Sequence, residues 1–322
     1  MRNSFFAIIF ATATCTGCVG EPQTPVANTE SEALEATADP LPALIVAERG
    51  GFIPEGVEYD TANGRLLTGS LSEGSIFQIH GDGRLTTIVT DTELVSSVGI
   101  EVDEPRGRLL VANSDASVFQ GDGAGQAKLG VYDLDSGARL AMVDLGATLT
   151  DAPAGSVYFA NDVAVGDDGA AYVTDTRMSV IYRVGTDYIA SVLYRFSPTE
   201  DLGLNGIVYD ASGYLLVAGG STLWKVPVAD PAGTTQVTLS ETMAGQDGVL
   251  WTADGLLAIV SNSENHVVAL TSTDEWSTAE VAGVATFEGQ ATTAADVGGD
   301  LYVVHPHFAD PDPPSIERVM LQ

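Results

Sequence analysis

Residues 206–220 read GIVYDASGYLLVAGG. A glycine opens a short apolar run, Asp210 to Gly213 supply a turn, and a second apolar run follows from Tyr214. β-branched and aromatic residues in runs this short, bounded by Gly and Asp, read as two strands joined by a tight connection. The pattern recurs along the chain: GVEYDTANGRLLTGS from Gly56, GIEVDEPRGRLLVANS from Gly99, DVAVGDDGAAYVTDT from Asp162, GVLWTADGLLAIVSN from Gly248 and, more loosely, ATTAADVGGDLYVVH from Ala291. Successive starts lie 43, 63, 44, 42 and 43 residues apart. Five intervals define six units, and several strands per unit of this length is the signature of a propeller blade.

Each unit continues into further strands, as in SIFQIHG then LTTIVTD in the first and VIYRVG then SVLYRFS in the third. The one long interval holds a Gly-rich insertion, Asp115 to Lys128, expected as an extended surface loop, and a second added segment, Asp151 to Phe159. The last unit is short of a strand. After LYVVH only Ile316 to Leu321 remains, while Ala43 to Glu48 offers the missing one. The expectation is an all-β, six-bladed β-propeller over 43–322, closed by strands from both termini so that no sheet edge stays open.

What precedes residue 43 has a different character. Arg2 followed by the apolar run Phe5 to Ala13 reads as a signal peptide over 1–18, too short to span a membrane by itself. Thr16-Gly17-Cys18 resembles the end of a bacterial lipobox, with Cys18 as the lipidated residue, although Cys15 stands where that pattern prefers Leu. Residues 19–42 are rich in Glu, Thr, Ala and Pro, as a disordered tether is. The expected location is therefore the bacterial cell envelope or the exterior, with membrane contact only through the anchor. Both cysteines fall in this leader, so the domain has neither a disulfide nor a Cys-based metal site.

The chain carries 44 acids against 13 bases, a net charge of −31. Such a field repels nucleic acid and anionic lipid and attracts divalent cations, and a saline habitat would produce the same bias.

In a propeller the innermost strand of each blade lines the axis, so equivalent repeat positions converge. The residues at the opening of the inner strands are Glu55, Val98, Asn161, Asn205, Asp247 and Gln290. Glu55, Asn161, Asn205 and Asp247 bear oxygens suited to a hard cation such as Ca²⁺, and two are carboxylates. Asp162 is next to Asn161 and is expected to support neighbouring backbone. Phe52, Tyr158, Phe159 and Trp251 are candidates for an apolar wall around the site. No G-x-S-x-G elbow, phosphate loop or basic aromatic patch is present.

Taken together, PEGVEYD around Glu55, NDVAV at Asn161, NGIVYDASGYLLVA at Asn205 and QDGVLWTADGLLAIVSN at Asp247 resemble the calcium-dependent phosphotriesterase superfamily of six-bladed propellers. That group includes gluconolactonase/regucalcin, diisopropylfluorophosphatase and paraoxonase relatives. The resemblance implies one catalytic Ca²⁺ held by Glu55, Asn161, Asn205 and Asp247. It further implies that Asp247 acts as nucleophile or general base in the hydrolysis of lactones or related esters, with phosphotriesters as a further class. Leu250 replaces the carboxylate of a second, structural calcium, which is not expected, and His266 then reads as an ordinary strand residue. Thr292-Thr293 stand where several relatives place a histidine; His305 and His307, in HPHF beyond the second strand, read either as part of an exposed, proline-bounded loop or as reaching the mouth of the channel from it. The expected partner is a small lactone or ester, bound by a monomer. Three other readings are a non-enzymatic, calcium-stabilised scaffold or binding protein of the envelope, strand-end residues with no metal role, and quinoprotein-like redox chemistry, for which no cofactor signature is found.

Overall fold

The computed structural model describes residues 41–121, 123–197, 203–308 and 312–322. The expected signal peptide, its lipobox cysteine Cys18 and residues 19–40 of the tether lie outside the described residues.

Among the described residues the strands form six sheets, which makes the domain an all-β, six-bladed propeller. The inner strands are Val57–Asp60, Ser96–Asp103, Tyr158–Val165, Leu204–Asp210, Gln246–Trp251 and Ala294–Val297. In each blade the chain runs outward by antiparallel pairing. The sixth sheet has the order Ala294–Val297, Asp300–His305, Ser315–Val319, Leu44–Val46, with Leu44 opposite Glu317.

The sequence logic of the blades is visible in their burial. A propeller sheet is covered on both faces by its neighbours, so its middle strands need apolar residues at consecutive positions rather than at alternate ones. The second strands satisfy this: Leu109, Leu110, Val111 and Ala112 are fully buried, as are Leu215, Leu216, Val217 and Ala218. Six apolar clusters result, one between each adjacent pair of blades. Each fully buried aliphatic side chain contributes about 1.5–3 kcal/mol, so the stabilisation is spread evenly around the ring. The Asp60–Arg65 and Asp103–Arg108 pairs brace the first and second blades across their inner turns.

The insertion within the second blade, between its strands Arg108–Ser114 and Lys128–Asp133, is more ordered than a plain surface loop. Ala116–Gln120 form a 3₁₀ turn whose start is capped by the Asp115 carboxylate, which accepts from the Ser117 amide at 3.0 Å. Gly125–Gln126 then pair in parallel with Tyr158 and Phe159 on the inner strand of the third blade. Asp115, Ala116, Ser117, Phe119 and Gln120 thereby line a cavity at the end of the axis, while Phe119 stays largely exposed.

Candidate functional site

Four of the inner strands approach their neighbours closely because each carries a glycine at the crossing, Gly56, Gly99, Gly206 and Gly248; the third and sixth have Asp162 and Thr293 there. A Cβ on Gly206 would lie 2.4 Å from the Asp247 carbonyl oxygen, and one on Gly56 would lie 2.5 Å from that of Val98. No side chain fits there, which explains the glycine at the head of the repeats. The same positions hold a second device. Pairing between first and second strands slips between Ser97 and Ile100, Ala160 and Val163, Leu204 and Ile207, and Gln246 and Val249. These are bulges at equivalent places in four consecutive blades, and a bulge re-aims the side chains it contains. The residues inside them are Val98-Gly99, Asn161-Asp162, Asn205-Gly206 and Asp247-Gly248.

The bulges bring the predicted residues together. Glu55, Asn161, Asn205 and Asp247 all line one cavity of about 680 Å³ at the loop end of the axis. Glu55, Asn161 and Asn205 also line a second cavity of about 280 Å³ at the opposite end. They form the constriction between the two. Asn161 and Asp247 are buried, with 6% and 3% of their surface exposed.

Hydroxyl groups fix the ring in place. Thr292 Oγ1 donates to the Glu55 carbonyl at 2.8 Å, and Thr174 Oγ1 to that of Asn205 at 2.7 Å. Asn161 Nδ2 donates to Thr176 Oγ1 at 2.9 Å. Asn262 Nδ2 donates to Asp247 Oδ2 at 2.6 Å, and the Asn205 amide donates to the same carboxylate. Burial pushes Asp247 up to about 7 against the pull of Asn262, and the negative charge of Asp162 adds to the rise. Glu55 lies well above the usual carboxylate range, through burial first and then through repulsion from Asp247 and Asp162. A carboxyl that keeps its proton and one poised near neutrality therefore share the floor of a cavity.

The expectation of a catalytic Ca²⁺ is corrected. Among the described residues no group of three or more His, Cys, Asp or Glu is placed to hold a metal ion. The ring of Glu55, Asn161, Asn205 and Asp247 contributes only two carboxylates, and burial and mutual repulsion favour their protonated forms.

Asp162 does support backbone: Oδ2 accepts from the Ile207 amide at 3.1 Å and ties the third blade to the fourth. Of the four aromatic candidates only Phe159 lines the loop-end cavity; Trp251 lines the opposite one, and Phe52 is fully buried. His266 opens a strand and lies 3.4 Å from Glu264, an ordinary surface pairing. His305 is buried rather than exposed, with Nδ1 3.1 Å from the Gln290 carbonyl and its ring edge-on to Phe287. Neither His305 nor His307 lines either cavity.

Asn262, Thr176 and Thr292, which also line the loop-end cavity and bond to residues of the ring, went unpredicted as site residues. Asn262 and Thr176 each end their repeat segment, in AIVSN and YVTDT. That shared register was the available signal.

Comparison with known proteins fixes the architecture. No protein-family model matches this chain, and no curated protein matches it. Solved structures do. The major allergen Mala s 1 of Malassezia sympodialis is 18% identical, with a TM-score of 0.74, over 87% of this chain and 97% of that one. A gluconolactonase from Xanthomonas campestris is 16% identical, TM-score 0.58, over 85% and 89%. A virginiamycin B lyase from Staphylococcus aureus is 14% identical, TM-score 0.59, over 84% and 81%. At these identities the likeness is one of fold, and it extends to gluconolactonases, streptogramin B lyases and a luciferin-regenerating enzyme alike, with nothing that singles out a calcium-dependent phosphotriesterase.

Proposed function

We propose that this protein is a lactonase- or esterase-like hydrolase whose reaction is carried by the Asp247–Glu55 pair. The observation that supports it most directly is the pairing itself: a carboxylate pushed to about 7 beside a second one raised well above its usual range, both at the floor of an open cavity. Two acids with separated affinities for a proton are what general acid–base chemistry needs. Ionised Asp247 takes a proton from water as the water oxygen adds to the acyl carbon, or it adds to that carbon itself to form an anhydride that a water then cleaves, releasing the acid and restoring Asp247. Glu55, still protonated, donates a hydrogen bond to the acyl oxygen and then its proton to the leaving alkoxide as the C–O bond breaks. The Asn262 amide orients Asp247 throughout. Fold-level kinship with gluconolactonases agrees with a lactone or related ester as substrate.

A second reading, a non-enzymatic binder of small molecules, is favoured by the stronger superposition on an allergen than on either gluconolactonase. The experiment that separates them is turnover of a panel of lactones, aryl esters and phosphotriesters by the intact protein and by Asp247→Asn. Lactone or ester hydrolysis lost in the variant upholds the enzyme; no turnover of any member leaves the binder.

A further inference from the structure

The mouth above the ring is apolar in a way that ring chemistry does not require. Two phenylalanines are largely exposed among the described residues, Phe119 at 58% and Phe308 at 43%, and both line the loop-end cavity. Val95, 45% exposed, joins them, and Leu71, Val98 and Phe159 continue the surface down to the ring. A solvent-exposed aromatic on a soluble domain costs solubility, and three exposed apolar residues around one opening mark a surface meant to be covered.

Phe119 is held there. It sits on the 3₁₀ turn Ala116–Gln120, edge-on to Phe159 with ring centroids 4.8 Å apart, and the Arg177 guanidinium stacks over its other side at 4.7 Å. Clamped on two sides, it presents its free edge to the cavity. The charge of the lining is equally one-sided. Glu55, Asp115 and Asp247 contribute carboxyls, and no Lys, Arg or His lines the cavity. An anionic ligand would meet this field and the −31 net charge behind it; the Arg177 guanidinium is stacked on Phe119 and is not among the residues that line the cavity.

We propose that the loop-end cavity seats the uncharged apolar arm of the acyl substrate, an alkyl or aryl chain, and that Phe119 selects for it. The substrate class is then an apolar-tailed lactone or ester rather than a sugar lactone or an anionic ester. Its reacting group reaches the ring while the arm lies along Phe159, Val95, Phe119 and Phe308. This rests on the hydrolase reading for the reacting group only; the seat for the arm stands on the rim itself.

The test is calorimetric binding of a series of γ-lactones with alkyl arms of increasing length to the full-length Asp247→Asn protein, which removes turnover from the measurement. Dissociation constants are expected to fall about two- to fourfold per added methylene, as burial of a hydrocarbon chain dictates. The gradient should flatten in Asp247→Asn/Phe119→Ser and return in Asp247→Asn/Phe119→Leu. The ring-opened hydroxy-carboxylates should bind at least tenfold more weakly. Replacing Phe119 gives up its contacts with Phe159 and Arg177 and should lower the melting temperature by only a few degrees, so a folded variant that has lost the gradient reports on the rim and not on unfolding. Affinity independent of chain length, a gradient untouched by Phe119→Ser, or equal binding of the carboxylates would each overturn the proposal. A steep gradient with no lactone turnover by the wild type would sink the hydrolase reading and keep the seat. Turnover confined to short polar lactones with no gradient would do the reverse.

Discussion

The two ends of the axial channel use the same side-chain chemistry and arrive at different states. At the loop end Asp247 is buried but accepts hydrogen bonds from Asn262 and Asn205, which offset the cost of burial and hold it near neutrality. At the opposite end Glu58, Glu101 and Asp162 line the smaller cavity with Asp296, again without a basic residue. Glu58 is pushed to about 8 and Glu101 well above the carboxylate range, by burial and by repulsion within the group. Glu101 faces other carboxyls, and no hydrogen bond lowers it. A buried acid without donors keeps its proton, whereas one with two amide donors can lose it near neutral pH. Asp162 shares that state, pushed up to about 7 by burial with the Val163 and Ile207 amides as donors, so what distinguishes Asp247 is that its donors are side-chain amides and that it lines the wider, loop-end cavity.

The sharpest way to break that comparison is to remove one acid from each end. Asp247→Asn should lower kcat/KM for a lactone or aryl ester by about 10³–10⁴-fold, the range expected when a general base or nucleophile is lost. Glu101→Gln, isosteric and already uncharged in effect, should leave it within about twofold. Equal losses from both would show that the channel's total charge matters and the amide-supported acid does not. A smaller effect, on stability, tests the glycines that set the width of the constriction. Gly206→Ala places a methyl 2.4 Å from the Asp247 carbonyl, against backbone that cannot swing away. It should cost about 1–3 kcal/mol in urea unfolding. The same change at Gly213, whose added Cβ meets nothing within 4 Å, strains only the turn.

The architecture was legible because six repeats at regular spacing leave few other folds open, and the ring residues were legible because repeat positions converge on an axis. Glu55, Asn161, Asn205 and Asp247 do line one cavity. The metal assignment failed at the next level. Four oxygen-bearing residues in a row say nothing about how many remain ionised once burial and mutual repulsion act on them. The bulges at residues 98–99, 161–162, 205–206 and 247–248 were equally hidden, since a slip of register leaves no mark on an apolar run. The order of the 115–128 insertion depends on pairing with Tyr158 and Phe159, a long-range contact that Gly-rich composition disguised.

The support given by Asn262 can be separated from the acid itself. Asn262→Ala removes a donor that favours the ionised form of Asp247, so the Asp247 proton should be held more tightly. The acidic limb of the kcat/KM profile, expected near pH 7 in the wild type, should move up by about one unit, with the plateau at higher pH reduced only a few-fold. A limb that stays in place would assign it to a group other than Asp247.

The smallest effect belongs to the opposite end and appears only as pH dependence of stability. Glu58 has its folded-state affinity for a proton raised from the ordinary 4.5 to about 8. Below pH 4.5 it is protonated in both the folded and the unfolded chain and costs nothing. Between about 4.5 and 8 the unfolded chain releases the proton and the folded chain keeps it, so stability falls as pH rises; above 8 the penalty is complete. Glu58→Gln removes the titration. Its melting temperature should match the wild type at pH 4 and exceed it by about 3–6 °C at pH 8.5. The corresponding change at an acid with its own donors should lack that gain: Asp175, which accepts from the Phe159, Arg177 and Met178 amides and the Tyr182 hydroxyl, should lose stability when converted to Asn at either pH. A gain at Glu58 that persists unchanged at pH 4 would mean that packing, and not ionisation, separates the two ends.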